Sequence, residues 1–195
     1  MLILWGLGAF IVGSVPWGFI VSHLRYQTDI RQHGSQNIGA TNVARTLGIK
    51  AGIIVLILDA LKGIAAVAIT GLVFPGHPWM MAVAGFLAIL GHVFSPFLRF
   101  RGGKGIAAGL GAVVMLSPLA ALVAVLAFAL TVGITRIVSL ASLAGIVGVM
   151  VCMALVSPEA YVWGFAVPAV LLTIWAHRKN WSRLIKGEEP RFGKS

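Results

Sequence analysis

The stretch AGIIVLILDALKGIAAVAITGLVF, residues 51–74, decides the fold. It is longer than the ~20 apolar residues a helix needs to cross the hydrocarbon core. Only Asp59 and Lys62 interrupt it. Its apolar residues are continuous rather than alternating, which argues against a lipid-facing barrel strand. Backbone groups in lipid must satisfy one another, so a helix is the expected element. Similar runs fill most of the chain. Of the 195 residues, 59% are hydrophobic and 10% charged, whereas soluble domains carry about a quarter charged residues. The mean hydropathy is +0.98. These values describe one polytopic, all-α membrane domain over residues 1–195, with no room for a separate soluble one.

The net charge of +10 would suit nucleic acid, but its placement excludes that partner. Arg25, Arg31, Arg45 and Lys50 share the first polar loop. Arg99, Arg101 and Lys104 form a second group, and Arg136 stands alone. Arg178, Lys179, Arg183, Lys186, Arg191 and Lys194 fill the tail. The interruptions around Pro75 to Pro78, Ser117-Pro118 and Ser157 to Glu159 carry no Lys or Arg. This asymmetry places the basic loops and the C-terminus in the cytoplasm. Leu2 to Leu24 reads as the first span, retained rather than cleaved, because no basic n-region precedes it. Residues 51–74 and 79–98 are the second and third. Between Lys104 and Arg136 we expect two short or broken helices around Ser117-Pro118. Residues 138–156 and 159–176 complete seven membrane segments, N-out and C-in. The pairs Gly109/Gly111 and Gly145/Gly148 favour close helix packing.

Three polar constellations interrupt this bundle. The first is GSQNIGATNVAR, residues 34–45. Ser35, Asn37, Thr41 and Asn42 offer small hydrogen-bonding groups, Gly34 and Gly39 expose backbone amides, and Arg45 adds a cation. Together they could cage a phosphate or carboxylate; the same residues also suit a capped polar turn. The second is FLRFRGGKGIAAG, residues 97–109. Gly102, Gly103 and Gly105 surround Lys104 where an apolar helix opens, which suits a phosphate. It lacks the spacing and preceding strand of a Walker loop. A basic surface anchor is the alternative, and Arg99 and Arg101 fit it better than Lys104 does. The third is the tail from His177, where a continuing helix would put His177, Asn180 and Arg183 on one face. His177 could serve as acid, base or hydrogen-bond donor, or be an interfacial histidine without chemistry. Glu188 and Glu189 read as partners for the tail's cations.

Asp59 and Lys62 share a helical face inside a span, where ionisable groups are expensive and usually partnered. They read as a mutual ion pair that orients a loop residue. Ser139 and Ser142 could face the same polar pocket, or back-bond to their own helix. The five acids, Asp59 included, are too scattered to hold a hard cation, and no metal or cofactor is expected.

Taken together, these loops resemble the bacterial acyl-phosphate:glycerol-3-phosphate acyltransferase family (PlsY). The resemblance covers nearly the whole chain. It rests on GSVPWG (13–18), DIRQHGSQNIGATNVARTLG (29–48), LDALKG (58–63), GHVFSPFLRFRGGKGIA (91–107), TRIVSLAS (135–142) and HRKNWSRLIKGEE (177–189). The family motif usually has Gly where this chain has Gln36. The resemblance implies transfer of a fatty acyl group from acyl phosphate to the sn-1 hydroxyl of glycerol 3-phosphate. The products would be lysophosphatidate and inorganic phosphate, in the first acylation of phospholipid synthesis at the bacterial inner membrane. It implies essential roles for Ser35 and Arg45, glycerol-phosphate binding at Gly102 to Gly105, roles for His177 and Asn180, and a structural role for Glu189. It also implies a link to the enzyme that makes the acyl phosphate.

The residues suit this independently. Two glycine-bearing cationic loops share one side, and the bundle can supply an apolar groove for the chain. Acyl phosphate is already activated, so no covalent enzyme intermediate is needed, and Cys152 lies in a span far from the basic loops. Arg45 and Lys104 could hold two anions side by side. The base is His177 or a substrate phosphate. No histidine is followed by four residues and then Asp, as a soluble-type glycerolipid acyltransferase requires, and the aspartate cluster of a CDP-alcohol phosphotransferase is absent. A small-anion transporter remains the alternative, since broken helices and glycine-flanked anion sites serve transport too.

Overall fold

Apolar composition dominates the architecture. The structure, a computed structural model, describes residues 1–156 and 159–193; Ser157 and Pro158, within the interruption read at Ser157 to Glu159, and Lys194 and Ser195 lie outside the described residues. The described residues form ten α-helices and no strand. They are α1 (Leu2–Ser14), α2 (Trp17–Tyr26), α3 (Ala40–Leu47), α4 (Ile49–Val73), α5 (Pro78–Val93), α6 (Ile106–Leu116), α7 (Pro118–Thr135), α8 (Val138–Val156), α9 (Ala160–Ala176) and α10 (Arg178–Ile185). Single 3-10 turns span Ile30–Gln32 and Pro96–Leu98.

Four helical stretches are long and apolar enough to cross a membrane: α4, Pro78–Leu98, α7 and α8. The number rises to six if α1 with α2, and α9 with α10, each count as one bent span. Helix α6 is apolar but only 11 residues long. Two expectations change here. The region from Lys104 to Arg136 breaks at Ser117, but only α6 is short, since α7 has 18 residues. The first span is not continuous either. Pro16 has no N–H to extend the helix, and the chain bends by 42° between α1 and α2.

That bend frees carbonyls which lipid cannot satisfy. Ser95 Oγ donates to Ser14 O at 2.6 Å, and Lys62 Nζ donates to Val15 O at 2.9 Å. Lys62 also lies 2.8 Å from Asp59 Oδ1 and 2.7 Å from His92 Nδ1. An ammonium has three N–H groups, and three acceptors surround it. This makes His92 Nδ1 an acceptor and assigns the ring proton to Nε2. The expected ion pair is thus one side of a buried cluster that ties α4 and α5 to the α1–α2 break. Removing one partner would leave a buried charge uncompensated, the most damaging kind of change to such a pair.

Close packing sets the helices around this cluster. A Cβ on Gly63 would meet Ala108 O at 2.0 Å, and one on Gly111 would meet Ala60 O at 2.0 Å. Helices α4 and α6 therefore touch backbone to backbone, as small residues allow. Gly148 packs less closely, against the side chain of Val123 in α7, whose Cγ1 would lie 3.2 Å from an added Cβ. Gly109 makes no close approach: its nearest neighbour would be Ile89 Cδ1 at 3.5 Å. It lines a groove that it shares with the Ile89 side chain of α5.

Candidate active site

Three loops converge on one polar cavity of about 120 Å³. The first contributes Ser35, Asn37 and the opening of α3; the second, Lys104 and the opening of α6; the third, His177, Asn180, Arg183 and Glu189. Residues Gly39, Ala40 and Thr41 begin α3, and Gly105, Ile106 and Ala107 begin α6. All six line the cavity. First-turn amides have no partner within their own helix, and helix N-termini favour anions. Gly105 has φ +82, a left-handed conformation that glycine adopts freely and that starts α6 at the cavity wall.

The first loop is built around Asn42. Its Nδ2 lies 2.9 Å from Asn37 O, 3.0 Å from His33 O and 3.2 Å from Ile30 O, and its Oδ1 accepts from Ser35 N–H at 2.8 Å. Asn42 borders the cavity, but its polar atoms hold the loop backbone. Asn37 Oδ1 accepts from Gly39 N–H at 2.8 Å, closing an Asx turn. At Gln36, φ is +60. This is the left-handed region, where a non-glycine residue is disfavoured by about 1–2 kcal/mol. It explains why the family motif carries Gly there. Because glycine also loses more freedom on folding, Gln36→Gly is expected to stabilise the protein by up to about 1 kcal/mol. A thermal melt in detergent checks this; an unchanged or lowered melting temperature would contradict it.

The second loop differs from expectation. Gly102 and Gly103 do not offer their amides to the cavity. They donate to Val93 O and His92 O, each at 3.0 Å. A Cβ on Gly103 would lie 2.1 Å from His92 Nε2. These glycines let the turn fold back onto the end of α5, with the buried Lys62–His92 pair beneath it. Lys104 and Gly105 are what reach the cavity. Sequence reasoning missed His92, although a histidine within a span is itself a signal of function or pairing.

Lys104 is half-buried. Burial, reinforced by repulsion from Arg183 and Arg45, outweighs the attraction of Glu189 and pushes its ammonium down to about 8. Arg45 Nη2 donates to Pro190 O at 3.0 Å, while its buried Nε has no partner among the described residues. Glu189 is buried. It accepts from Arg183 Nε at 2.7 Å and from Asn180 Nδ2 at 2.6 Å. Burial alone would raise the Glu189 carboxyl, but the Arg183 and Asn180 hydrogen bonds win and hold it below the usual range. Helices α9 and α10 do not continue through His177 as expected. They break there by 57°. His177 Nδ1 lies 2.8 Å from Thr173 O, so Nδ1–H donates and Nε2 keeps its lone pair. Burial, with Lys104 nearby, pushes the imidazole down to about 4. His177 is neutral at pH 7.

Next to the polar cavity lies an apolar groove of about 250 Å³ between α6, α7, α8 and α9. The two share Leu56, Gly105, Ile106, Ala107, Phe128 and Ser142 in their walls. Ser142 Oγ donates to Val138 O at 2.9 Å, so it is back-bonded while bordering both spaces. An ionic headgroup and an apolar tail of one molecule can occupy the pair.

The profile described as Glycerol-3-phosphate acyltransferase matches residues 3–187. The chain belongs to the glycerol-3-phosphate acyltransferase family. A family member from Desulforamulus reducens is 43% identical over 188 residues, covering 96% of this chain and 93% of its own. One from Halalkalibacterium halodurans is 39% identical over 194 residues, covering 96% and 94%. Two crystal structures of PlsY (YgiH), an integral membrane glycerol 3-phosphate acyltransferase, share the fold. Its glycerol 3-phosphate form superposes with a TM-score of 0.93 at 35% identity, covering 98% of this chain and 96% of that one. Its lysophosphatidic acid form gives 0.90 at 34% identity, covering 98% and 95%. This acyltransferase-family chain is therefore an all-helical integral membrane protein.

Proposed function

We propose that this protein transfers a fatty acyl group from acyl phosphate to the sn-1 hydroxyl of glycerol 3-phosphate, releasing lysophosphatidate and inorganic phosphate. The observation that carries the reading is the cationic cavity joined to an apolar groove. Family membership supports the acceptor, glycerol 3-phosphate. In this scheme Arg45 and Lys104 hold the two phosphates, with Ser35, Thr41, the free amide of Asn37 and the first amides of α3 and α6 completing the cage. The acyl chain lies in the groove, which puts its carbonyl at the junction by Gly105 and Ile106. Asn42, Gly102, Gly103, Asp59, Lys62 and Glu189 hold the loops in place, and Asn180 holds Glu189.

The glycerol hydroxyl oxygen attacks the acyl carbonyl, the carbonyl–oxygen bond to phosphate breaks, and phosphate leaves. His177 Nε2 accepts a hydrogen bond from the hydroxyl and aims it. A group with a pKa of about 4 is a weak base, whereas a phosphate monoester titrates near about 6. The proton therefore passes to a substrate phosphate. Lys104 and the α6 amides stabilise the oxyanion. No metal takes part, and activity is expected to survive EDTA.

The test is a donor comparison with purified protein in lipid. Palmitoyl phosphate is expected to support lysophosphatidate synthesis with the chain at sn-1, and palmitoyl-CoA is not. Synthesis from palmitoyl-CoA alone would overturn the donor, and solute uptake without phosphate release would favour a transporter.

We place the protein in the bacterial inner membrane as a single domain of residues 1–195, with α6 counted as the seventh segment, N-out and C-in. The basic-loop asymmetry supports this orientation. An impermeant maleimide is expected to label Gly76→Cys from outside, and not Gln36→Cys or Lys186→Cys. Outside labelling at residue 36 would invert the topology. The active site then faces the cytoplasm, where the enzyme that makes acyl phosphate would supply it.

A further inference from the structure

Most helical glycines of the bundle are explained by close packing; Gly109 is not, and unlike the equally loose Gly6, Gly8 and Gly133 it lines the apolar groove. At Gly13, Gly63, Gly91 and Gly111 an added Cβ would fall within 2.2 Å of a neighbouring backbone oxygen. At Gly109 it would meet only the Ile89 side chain, at 3.5 Å from Cδ1 and 3.9 Å from Cγ1, ordinary contacts. What the missing side chain leaves open is the apolar groove, which Gly109 lines.

The groove has a readable depth. On α6 its lining positions include Gly105, Gly109 and Val113; on α8, Ser142, Gly145 and Val149. These recur at three- and four-residue intervals, so each set stacks on one helix face. The first member of each borders the polar cavity. At about 1.5 Å per residue, the last members lie about 11 Å deeper, room for about nine extended methylenes. Phe165, almost fully buried, lines the groove together with Val113 and Val149. Gly109 sits one helical turn in, about 6 Å from the cavity, level with roughly the fifth carbon of a chain.

We propose that Gly109 sets the width of the groove and so determines which acyl-chain lengths the protein accepts. This rests on the acyltransferase reading above. A side chain at 109 obstructs chains that reach past the first turn and leaves shorter ones unaffected.

The experiment measures kcat/KM with butyryl phosphate and with palmitoyl phosphate, for wild type and Gly109→Leu in lipid. Butyryl transfer is expected to stay within about twofold, while palmitoyl transfer falls about tenfold or more, the scale of a steric mismatch in an apolar pocket. Gly133→Leu, at a position of α7 with nothing within 4 Å of its Cβ, is expected to leave both rates alone. An unchanged palmitoyl-to-butyryl ratio in Gly109→Leu would overturn the proposal while leaving the acyltransferase reading intact. A wild type that turns over neither donor would overturn that reading instead. Should Gly109→Leu fail to accumulate in membranes, Val149→Phe, at a half-buried position lining the same groove, carries the same test. It is expected to lower palmitoyl transfer and spare butyryl, and an unchanged ratio there would equally overturn the proposal.

Discussion

Lys104→Ala is expected to lower kcat/KM by about 10²–10³-fold, the loss seen when one preorganised oxyanion or phosphate partner is removed. Arg99→Ala, on the exposed surface of the same loop, is expected to have a much smaller effect. The pH profile makes the prediction specific. Burial lowers the Lys104 ammonium to about 8, so it is mostly charged at pH 7 and loses its proton as pH rises through that value. A neutral amine no longer attracts phosphate. The free enzyme's kcat/KM should therefore fall above pH 8, while bound phosphate favours the charged form and moves the limb in kcat upward. Lys104→Arg keeps the charge at all these pH values. Whatever activity it retains should lack the alkaline limb. Near-normal turnover by Lys104→Ala, or a limb that survives in Lys104→Arg, would contradict the assignment.

His177→Ala is expected to lose about 10²-fold or more in kcat, because the hydroxyl loses its orienting acceptor. The imidazole, pushed down to about 4 by burial and Lys104, is neutral throughout the working range. A histidine limb near 6.5 is therefore not expected. An acid limb near about 6 would belong to the substrate phosphates, and it should persist in the residual activity of His177→Gln. If that limb vanishes in His177→Gln, His177 is itself the base and the scheme is wrong on the proton's destination.

Much of this was legible in the sequence, for identifiable physical reasons. Residues 51–74 read correctly as a helix because a continuous apolar run has few other solutions in lipid. The Asp59–Lys62 pair was readable from helical spacing and the expense of lone charges in a span. The bend at Pro16 was readable in principle, since proline interrupts the ladder, but the apolar run through it hid the break. Two things depended on tertiary contacts that no local pattern encodes. The amides of Gly102 and Gly103 turn back onto α5, and only the position of His92 reveals it. Asn42 looked like any loop amide, yet its four hydrogen-bonding partners make it the centre of the first loop. Gly109 carries the opposite lesson. A small residue in a span suggests a backbone contact between helices, and here it lines an apolar groove opposite the Ile89 side chain.

The central claim is single-step transfer from acyl phosphate to glycerol 3-phosphate across the junction of cavity and groove. A pulse with palmitoyl phosphate labelled in the acyl chain, without acceptor, followed by rapid quench, tests it most directly. The account predicts no label on the protein. On adding glycerol 3-phosphate, labelled lysophosphatidate and free phosphate should appear in equal amounts. Label bound covalently to the protein during the pulse, and chased into lysophosphatidate by the acceptor, would contradict it.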